Sequence, residues 1–527
     1  MSDDRSQSLA KRASTGYVAV LGAKVFFILA GFVQQPLLRW AVGLAGYGAL
    51  SRVLAAANVV NNVVVSASTQ GTSRLVAQAK GEEGKALRLA LRVHAPIAVA
   101  LALLFMGAAP LVASFQRATH ITPALVVAGG VVLLYGLYAP LIGSLNGRQL
   151  FVRQASLDVL FATLRTVGLV GLGFVFVKLG LSGALGAISG FVVAALVIFL
   201  VALGLAGVGR RGTADSLPTA KAYLSALWPL ALAQLFTNAL MQQDITLLGR
   251  FLADAAPAAG LAGVAAEKAS DEWIGVYRAC QLFAFLPYQL LLSVTQILFP
   301  MLAQAKGEGN AAAVRTFVAR GARLGAIATG LLVSIIVAMP ETAIRFAYGS
   351  DVAARGASTL AVLTVGQGMF ALIGLASSIL SSLNRERSAA WLTFAAAMLA
   401  GLACTILVPR AAFGEAQLRA TAWAVTGALA VSLVAASWLV KKVAGTFIPA
   451  ATAARVLLAV GVCAGAGLVL PSVGRLMTLV VGAAVAAGYV VVLVATRELR
   501  GADVDTLRGL LRKRSSPPRD GGSRPYR

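Results

Sequence analysis

The sequence predicts an all-α polytopic membrane protein: about fourteen transmembrane helices, forming two pseudo-symmetric six-helix bundles plus two C-terminal helices. Three observations predict it. Apolar runs close to the ~20 residues that a helix needs to cross a bilayer recur from end to end. Only 12% of the 527 residues are charged and 58% are hydrophobic, whereas a soluble globular chain carries about 25% charged residues. The stretch Leu75-Val76-Ala77-Gln78-Ala79-Lys80-Gly81-Glu82 also returns as Met301-Leu302-Ala303-Gln304-Ala305-Lys306-Gly307-Glu308, with AQAKGE identical. A long-period repeat implies a doubled fold. A β-barrel would show short alternating segments instead.

Taken in order, the spans read as 16–38, 42–66, 91–115, 121–146, 156–177, 181–207, 222–250, 273–299, 317–339, 357–383, 388–408, 419–440, 450–470 and 475–496. The first, from Gly16 to Leu38, is too long for a signal peptide, contains Lys24 and lacks a clear cleavage site, so it reads as a true span. The connections are short. The longest on the outer side, about 252–272, is Ala/Gly-rich and ends in Glu267, Lys268, Asp271 and Glu272. Lys and Arg concentrate on alternate connections and in the tail, which places both termini in the cytoplasm. Thirteen spans would break this alternation. The net charge of +25 therefore belongs to the positive-inside pattern, and no nucleic-acid partner is expected.

Gap-free extension of the repeat pairs Arg52 with Arg278, Thr69 with Thr295 and Gln70 with Gln296. Gln34-Gln35 matches Gln242-Gln243, and Leu145-Asn146 matches Leu383-Asn384. Each partner lies six spans later. Six is even, so the halves share one orientation about an axis along the membrane normal. The expected units are residues 1–207, residues 222–440, two unrepeated helices in 450–496, and a basic, disordered cytoplasmic tail in 497–527.

Charges within spans are costly in lipid and usually face a cavity or a partner. The candidates are Lys24 in the first span, Arg52 in the second, Arg165 in the fifth and Arg278 in the eighth. The acids are Asp244 in the seventh span and Asp158 nearer the end of the fifth. A cavity dominated by basic groups favours an anion, such as a phosphate. Other roles remain open: Arg52 and Arg278 reaching outward to water, Asp244 pairing with a base, Arg165 pairing with Asp158. Asn58, Asn61 and Asn62 form a polar stripe on the second span, and Gln34, Gln35, Gln242 and Gln243 extend it. These amides suit sugar hydroxyls or interhelical hydrogen bonds. Pro36, Pro140, Pro229 and Pro287 suit gating bends or static kinks.

Cys280, Cys404 and Cys463 fall in apolar segments, and His94 and His120 on opposite sides of a span. No disulfide framework, metal cluster or cofactor is expected. Asp503-Val504-Asp505 spells the D-x-D of nucleotide-sugar enzymes, but it sits in the tail without an α/β domain around it. No Walker motif is present, and the chain reads as a transporter, not an enzyme.

The whole chain resembles the polysaccharide and lipid-linked oligosaccharide flippases of the multidrug/oligosaccharidyl-lipid/polysaccharide exporter superfamily. The resemblance rests on the doubled AQAKGE turn, the LNGRQ and LNRER turns after spans four and ten, and the fourteen-span layout. It implies two bundles around a central cavity, alternating access by rocking, and outward transfer of an undecaprenyl-pyrophosphate-linked oligosaccharide for cell-surface polysaccharide assembly. It implies that basic residues of spans one, two and eight, here Lys24, Arg52 and Arg278, face the cavity and bind substrate; the residue types add Arg165, Asn58, Asn62 and Gln242 to the expected substrate-binding set, and Asp244 is the expected ion-coupling acid. The expected location is a bacterial inner membrane. The expected partners are the anionic lipid-linked oligosaccharide, a coupling cation and a polysaccharide polymerase. The last two spans would hold the lipid tail. The alternatives are a cation-coupled multidrug exporter, against which the acid-free first span speaks, and a lipid II flippase for peptidoglycan. A polymerase or ligase would need a larger outer loop than the sequence has.

Overall fold

The computed structural model describes residues 2–79, 81–207, 217–469 and 474–499; the side chains of 2–21 and of Lys24 lie outside the described set. The tail from residue 500, with its D-x-D, also lies outside it. The described residues form fifteen α-helices and no strand. They are α1 Ser2–Gln78, α2 Glu83–Phe115, α3 Thr122–Gly147, α4 Phe151–Lys178, α5 Gly183–Ala206, α6 Ala220–Ala255, α7 Gly263–Ala284, α8 Leu286–Gly307, α9 Ala311–Ala338, α10 Pro340–Tyr348, α11 Ser350–Ser382, α12 Glu386–Leu407, α13 Glu415–Ala444, α14 Ala450–Gly467 and α15 Arg475–Ala495.

Twelve helices among the described residues are long and apolar enough to cross a membrane. Thirteen of the fourteen expected spans map onto these twelve helices, because one helix carries two of them, and the eighth has no counterpart among the twelve. The apolar stretch Val25–Gln78 has 54 residues, about 80 Å of helix at 1.5 Å per residue, twice what one crossing needs. It breaks at Gly43, whose φ of 73° and ψ of 172° are not helical. This backbone region is essentially open to glycine alone, so the first two expected spans meet there. The expected eighth span is divided: α7 ends at Ala284 and α8 begins at Leu286. Pro287 sits in the first turn of α8, where its missing N–H costs nothing. Pro36, Pro140 and Pro229 lie inside α1, α3 and α6.

The expected outer loop 252–272 is mostly helical. Only a short turn around Pro257–Ala259 separates α6 from α7, so Glu267, Asp271 and Glu272 are helical residues. The short α10 was also not expected. It starts on Pro340 and stops at Gly349, whose φ is 92°.

Helices α2 to α5 pack on α1 and on one another, chiefly α4 on α5, α3 on α1 and α2 on α3. Small residues make these contacts close, as expected where helix association depends on van der Waals fit. Gly168 of α4 and Gly190 of α5 meet backbone to backbone. Helices α8, α9, α11, α12 and α13 form a second group, with α6 against α12 and α7 against α11. The two groups meet along α1, which packs on both α6 and α7. Helices α14 and α15 lie on α9. Glu498, just beyond α15, is 3% exposed and accepts from Arg323 of α9, and from Arg455 and Thr452 of α14. Large apolar side chains such as Leu104 and Leu111 are more than two-thirds exposed; they are the surface a multi-pass membrane protein presents to lipid.

Candidate functional site: a two-chambered cavity lined by Arg278 and Arg165

Two chambers lie where α1 meets α4, α6, α7 and α8. The first, about 610 Å³, is walled mainly by apolar side chains, including Val25, Phe27, Ile28, Phe32, Phe285 and Leu292. Val25, Ile28 and Leu29 are themselves exposed, so this chamber borders the lipid-facing side of α1. The second, about 490 Å³, is lined by Gln34, Gln35, Asn58, Asn62, Thr69, Tyr135, Tyr138 and Arg165. Phe27, Gln35, Asp158 and Arg278 line both. Arg278 thus stands at the boundary between an apolar space and an amide-lined one.

Arg278 is half-buried and makes no ion pair among the described residues. Its Nη1 donates to Gln281 Oε1 at 3.0 Å, one helical turn along α7. Gln281 Nε2 in turn donates to Asp244 Oδ2 at 2.8 Å. The Tyr277 hydroxyl donates to the same oxygen at 2.9 Å, and the Ile245 N–H to Oδ1 at 2.8 Å. Asp244 is 3% exposed and stands behind the chamber wall. It is satisfied by neutral donors and not by a direct bond to a base.

Arg165 donates from Nε to Gln34 Oε1 at 3.2 Å, and its guanidinium lies 4.9 Å from the Phe27 ring centre. Stacking and a neutral acceptor hold it in place without removing its charge. Asp158 lines both chambers and is engaged with a neighbour. Asn58 faces the second chamber; Asn62 does too, and its Nδ2 donates to Asn238 Oδ1 of α6 at 2.7 Å. Gln242 lines the first chamber and is 6% exposed, and its Oε1 has no partner among the described residues. A buried acceptor left unmade costs about 1–3 kcal/mol. The neighbours of Lys24 bear on the site, since Ala23 and Val25 line the first chamber.

Arg52 is elsewhere. Expected beside Arg278 at a substrate phosphate, it is instead 1% exposed and lines neither chamber. Its Nε lies 2.8 Å from Asp271 Oδ1 of α7, and its Nη1 donates to the Gln116 carbonyl at 3.1 Å. His120 Nε2 contacts the other Asp271 oxygen at 2.7 Å. The reason is one turn earlier. A Cβ on Gly48 would sit 1.7 Å from the Asp271 carbonyl oxygen, so glycine lets α1 touch α7 and delivers Arg52 to that carboxylate. The equivalence of Arg52 and Arg278 in the repeat does not extend to their surroundings. Gln281, which ties Arg278 to Asp244, was not singled out from the sequence; its spacing of three from Arg278 on one helix was the available signal.

A model of the polysaccharide biosynthesis protein family matches residues 47–354. No curated protein matches the chain. Among solved structures, the lipid II flippase MurJ in an inward closed conformation superposes with a TM-score of 0.69 at 13% identity, covering 92% of this chain and 99% of that one. An inward-facing multidrug resistance MATE family transporter of the MOP superfamily gives 0.60 at 14% identity, over 81% and 98%. A MOP superfamily transporter from Pyrococcus furiosus, described by the reverse polarity of its binding pocket, gives 0.56 at 16%, over 81% and 96%. At these identities the likeness is one of fold.

Proposed function

The chain belongs to the polysaccharide biosynthesis protein family, and from this premise we propose that it is a flippase for an undecaprenyl-pyrophosphate-linked oligosaccharide. One observation carries the reading: Arg278, without an ion-pair partner among the described residues, lies where an apolar chamber meets an amide-lined one. A lipid-linked sugar has the same order of parts. Its pyrophosphate would lie against Arg278 and within reach of Arg165, held by charge-assisted bonds at low dielectric. Its sugar hydroxyls would meet Asn58, Asn62 and Gln34 in the second chamber. Its isoprenoid would leave through the apolar chamber, past the exposed residues of α1, towards α14 and α15.

Transport would proceed by rocking of the two helix groups about their α1 contacts, with Asp244 as the acid through which a proton or cation acts. The protein would sit in the inner membrane with both termini in the cytoplasm, passing its product to a polymerase. The test is Arg278→Ala and Arg165→Ala in the native host. Each should abolish surface polysaccharide while the protein remains in the membrane at its usual level; normal export by both variants overturns the reading. Lipid II carries the same pyrophosphate and isoprenoid. Arrest of peptidoglycan synthesis, with surface polysaccharide intact, would assign that substrate instead.

A further inference from the structure

We propose that Gln281 is a positioning residue: a neutral spacer that keeps the cavity cation Arg278 from pairing with the buried carboxylate of Asp244. The inference rests on the flippase reading, because it concerns how that cavity retains a positive charge.

The geometry is a three-member line. The ionised carboxylate of Asp244 only accepts, so the Gln281 group 2.8 Å from its Oδ2 is the amide nitrogen. That fixes the other end of the amide. Gln281 Oε1 must point back along α7, where it accepts from Arg278 Nη1 at 3.0 Å. Gln281 is fully buried and stands in the chamber wall, while Arg278 reaches the space of both chambers. Each charge is hydrogen-bonded, and neither is cancelled by the other.

Without the amide, two opposite charges at low dielectric would be separated only by space that the arginine's flexible stem can cross. Direct pairing is strongly favoured there. It would draw the guanidinium into the wall and leave the chamber boundary neutral. Methionine would fill the gap and block the movement, whereas alanine or serine opens it. The role is therefore distinct from packing. A purely structural glutamine would be harmed by any loss of volume, and removing the second partner would compound the harm.

The experiment is binding of undecaprenyl pyrophosphate to the purified full-length protein in detergent, with melting temperature measured on every variant. Arg278→Ala should remove most binding. Gln281→Ala should weaken it about tenfold or more, the scale of one hydrogen bond to a charged group. Adding Asp244→Asn to Gln281→Ala should restore much of the lost affinity, because the carboxylate behind the wall is then gone; Asp158, the other acid on the chambers, is engaged with a neighbour and is the same in every variant. Gln281→Ser replaces Gln281→Ala if the latter does not fold. Wild-type affinity in Gln281→Ala, or no recovery in the double variant, overturns the spacer role while leaving the flippase reading in place. Wild-type affinity in Arg278→Ala overturns both.

Discussion

Arg52 Nε and Asp271 Oδ1 lie 2.8 Å apart, with both side chains almost wholly buried. This pair joins the second segment of α1 to α7, and so one helix group to the other. Removing one partner of such a pair leaves a charge buried alone, at a cost of ~3–5 kcal/mol. Arg52→Gln and Asp271→Asn should each lower the melting temperature in detergent and the folded yield. Arg278→Ala should lower neither. Equal melting temperatures for Arg52→Gln and wild type would remove Arg52 from this structural role.

Asn62 and Asn238 bridge α1 and α6 on the wall of the second chamber. If the two groups rock against each other, a tether here must stop the cycle. Asn62→Cys with Asn238→Cys, joined by a short thiol-reactive linker, should block export, and reduction should restore it. Cys280, Cys404 and Cys463 are replaced by alanine beforehand, so the linker can act only on the introduced pair. Full export in the linked protein would show that α1 and α6 do not separate at this point.

Gly43 divides the apolar stretch Val25–Gln78 into two crossings. Nothing lies within 4 Å of where a Cβ would stand, so a substitution there meets no clash. The cost is purely conformational, ~1–3 kcal/mol for a non-glycine residue in this region. Gly43→Ala should therefore lower the melting temperature by a measurable amount. Gly22→Ala, also in open space but with ordinary helical backbone, should not.

Glu498 ties α14 and α15 to α9. Burial disfavours its charged form and pushes its pKa up, but hydrogen bonds from Arg323, Arg455 and Thr452 outweigh burial and hold the group below the usual carboxylate value. A lowered folded pKa means stability that is present above the unfolded value, about 4.3, and lost as pH falls through the folded one. Attachment of the last two helices should thus be full at neutral pH and weaken only in strong acid. Glu498→Gln should weaken it at pH 7 by ~1–3 kcal/mol, read as earlier protease cleavage between α13 and α14. Unchanged cleavage would show that apolar contacts alone hold these helices.

Much of the fold was legible along the chain. Apolar run length and the alternation of basic connections give the crossings, because burying a helix in lipid and translocating Lys or Arg are strongly constrained by local composition. The break at Ala284–Leu286 was not legible, since an apolar run continues through it and only Pro287 marks the restart. Nor was α10, too short to register beside its neighbours. For the candidate site, residue types on the spans singled out amides and bases, and the folded chain shows which of them share a cavity. Arg165, Asn58, Asn62, Gln242 and Arg278 all line one chamber or both.

Arg52 and Arg278 mark the division between local and tertiary information. They occupy matching positions of one repeat, and composition alone assigns them one role. What separates them is long-range. Gly48 brings α1 against α7, so Arg52 meets the carboxylate of Asp271, more than two hundred residues away in the chain. Arg278 meets the neutral amide of Gln281 instead and keeps its charge beside open space. A charge inside a membrane protein must find a partner, and the chain's own composition establishes that need. Which partner it finds, and so whether it holds helices together or remains open to a ligand, depends on helices that only the folded chain brings together.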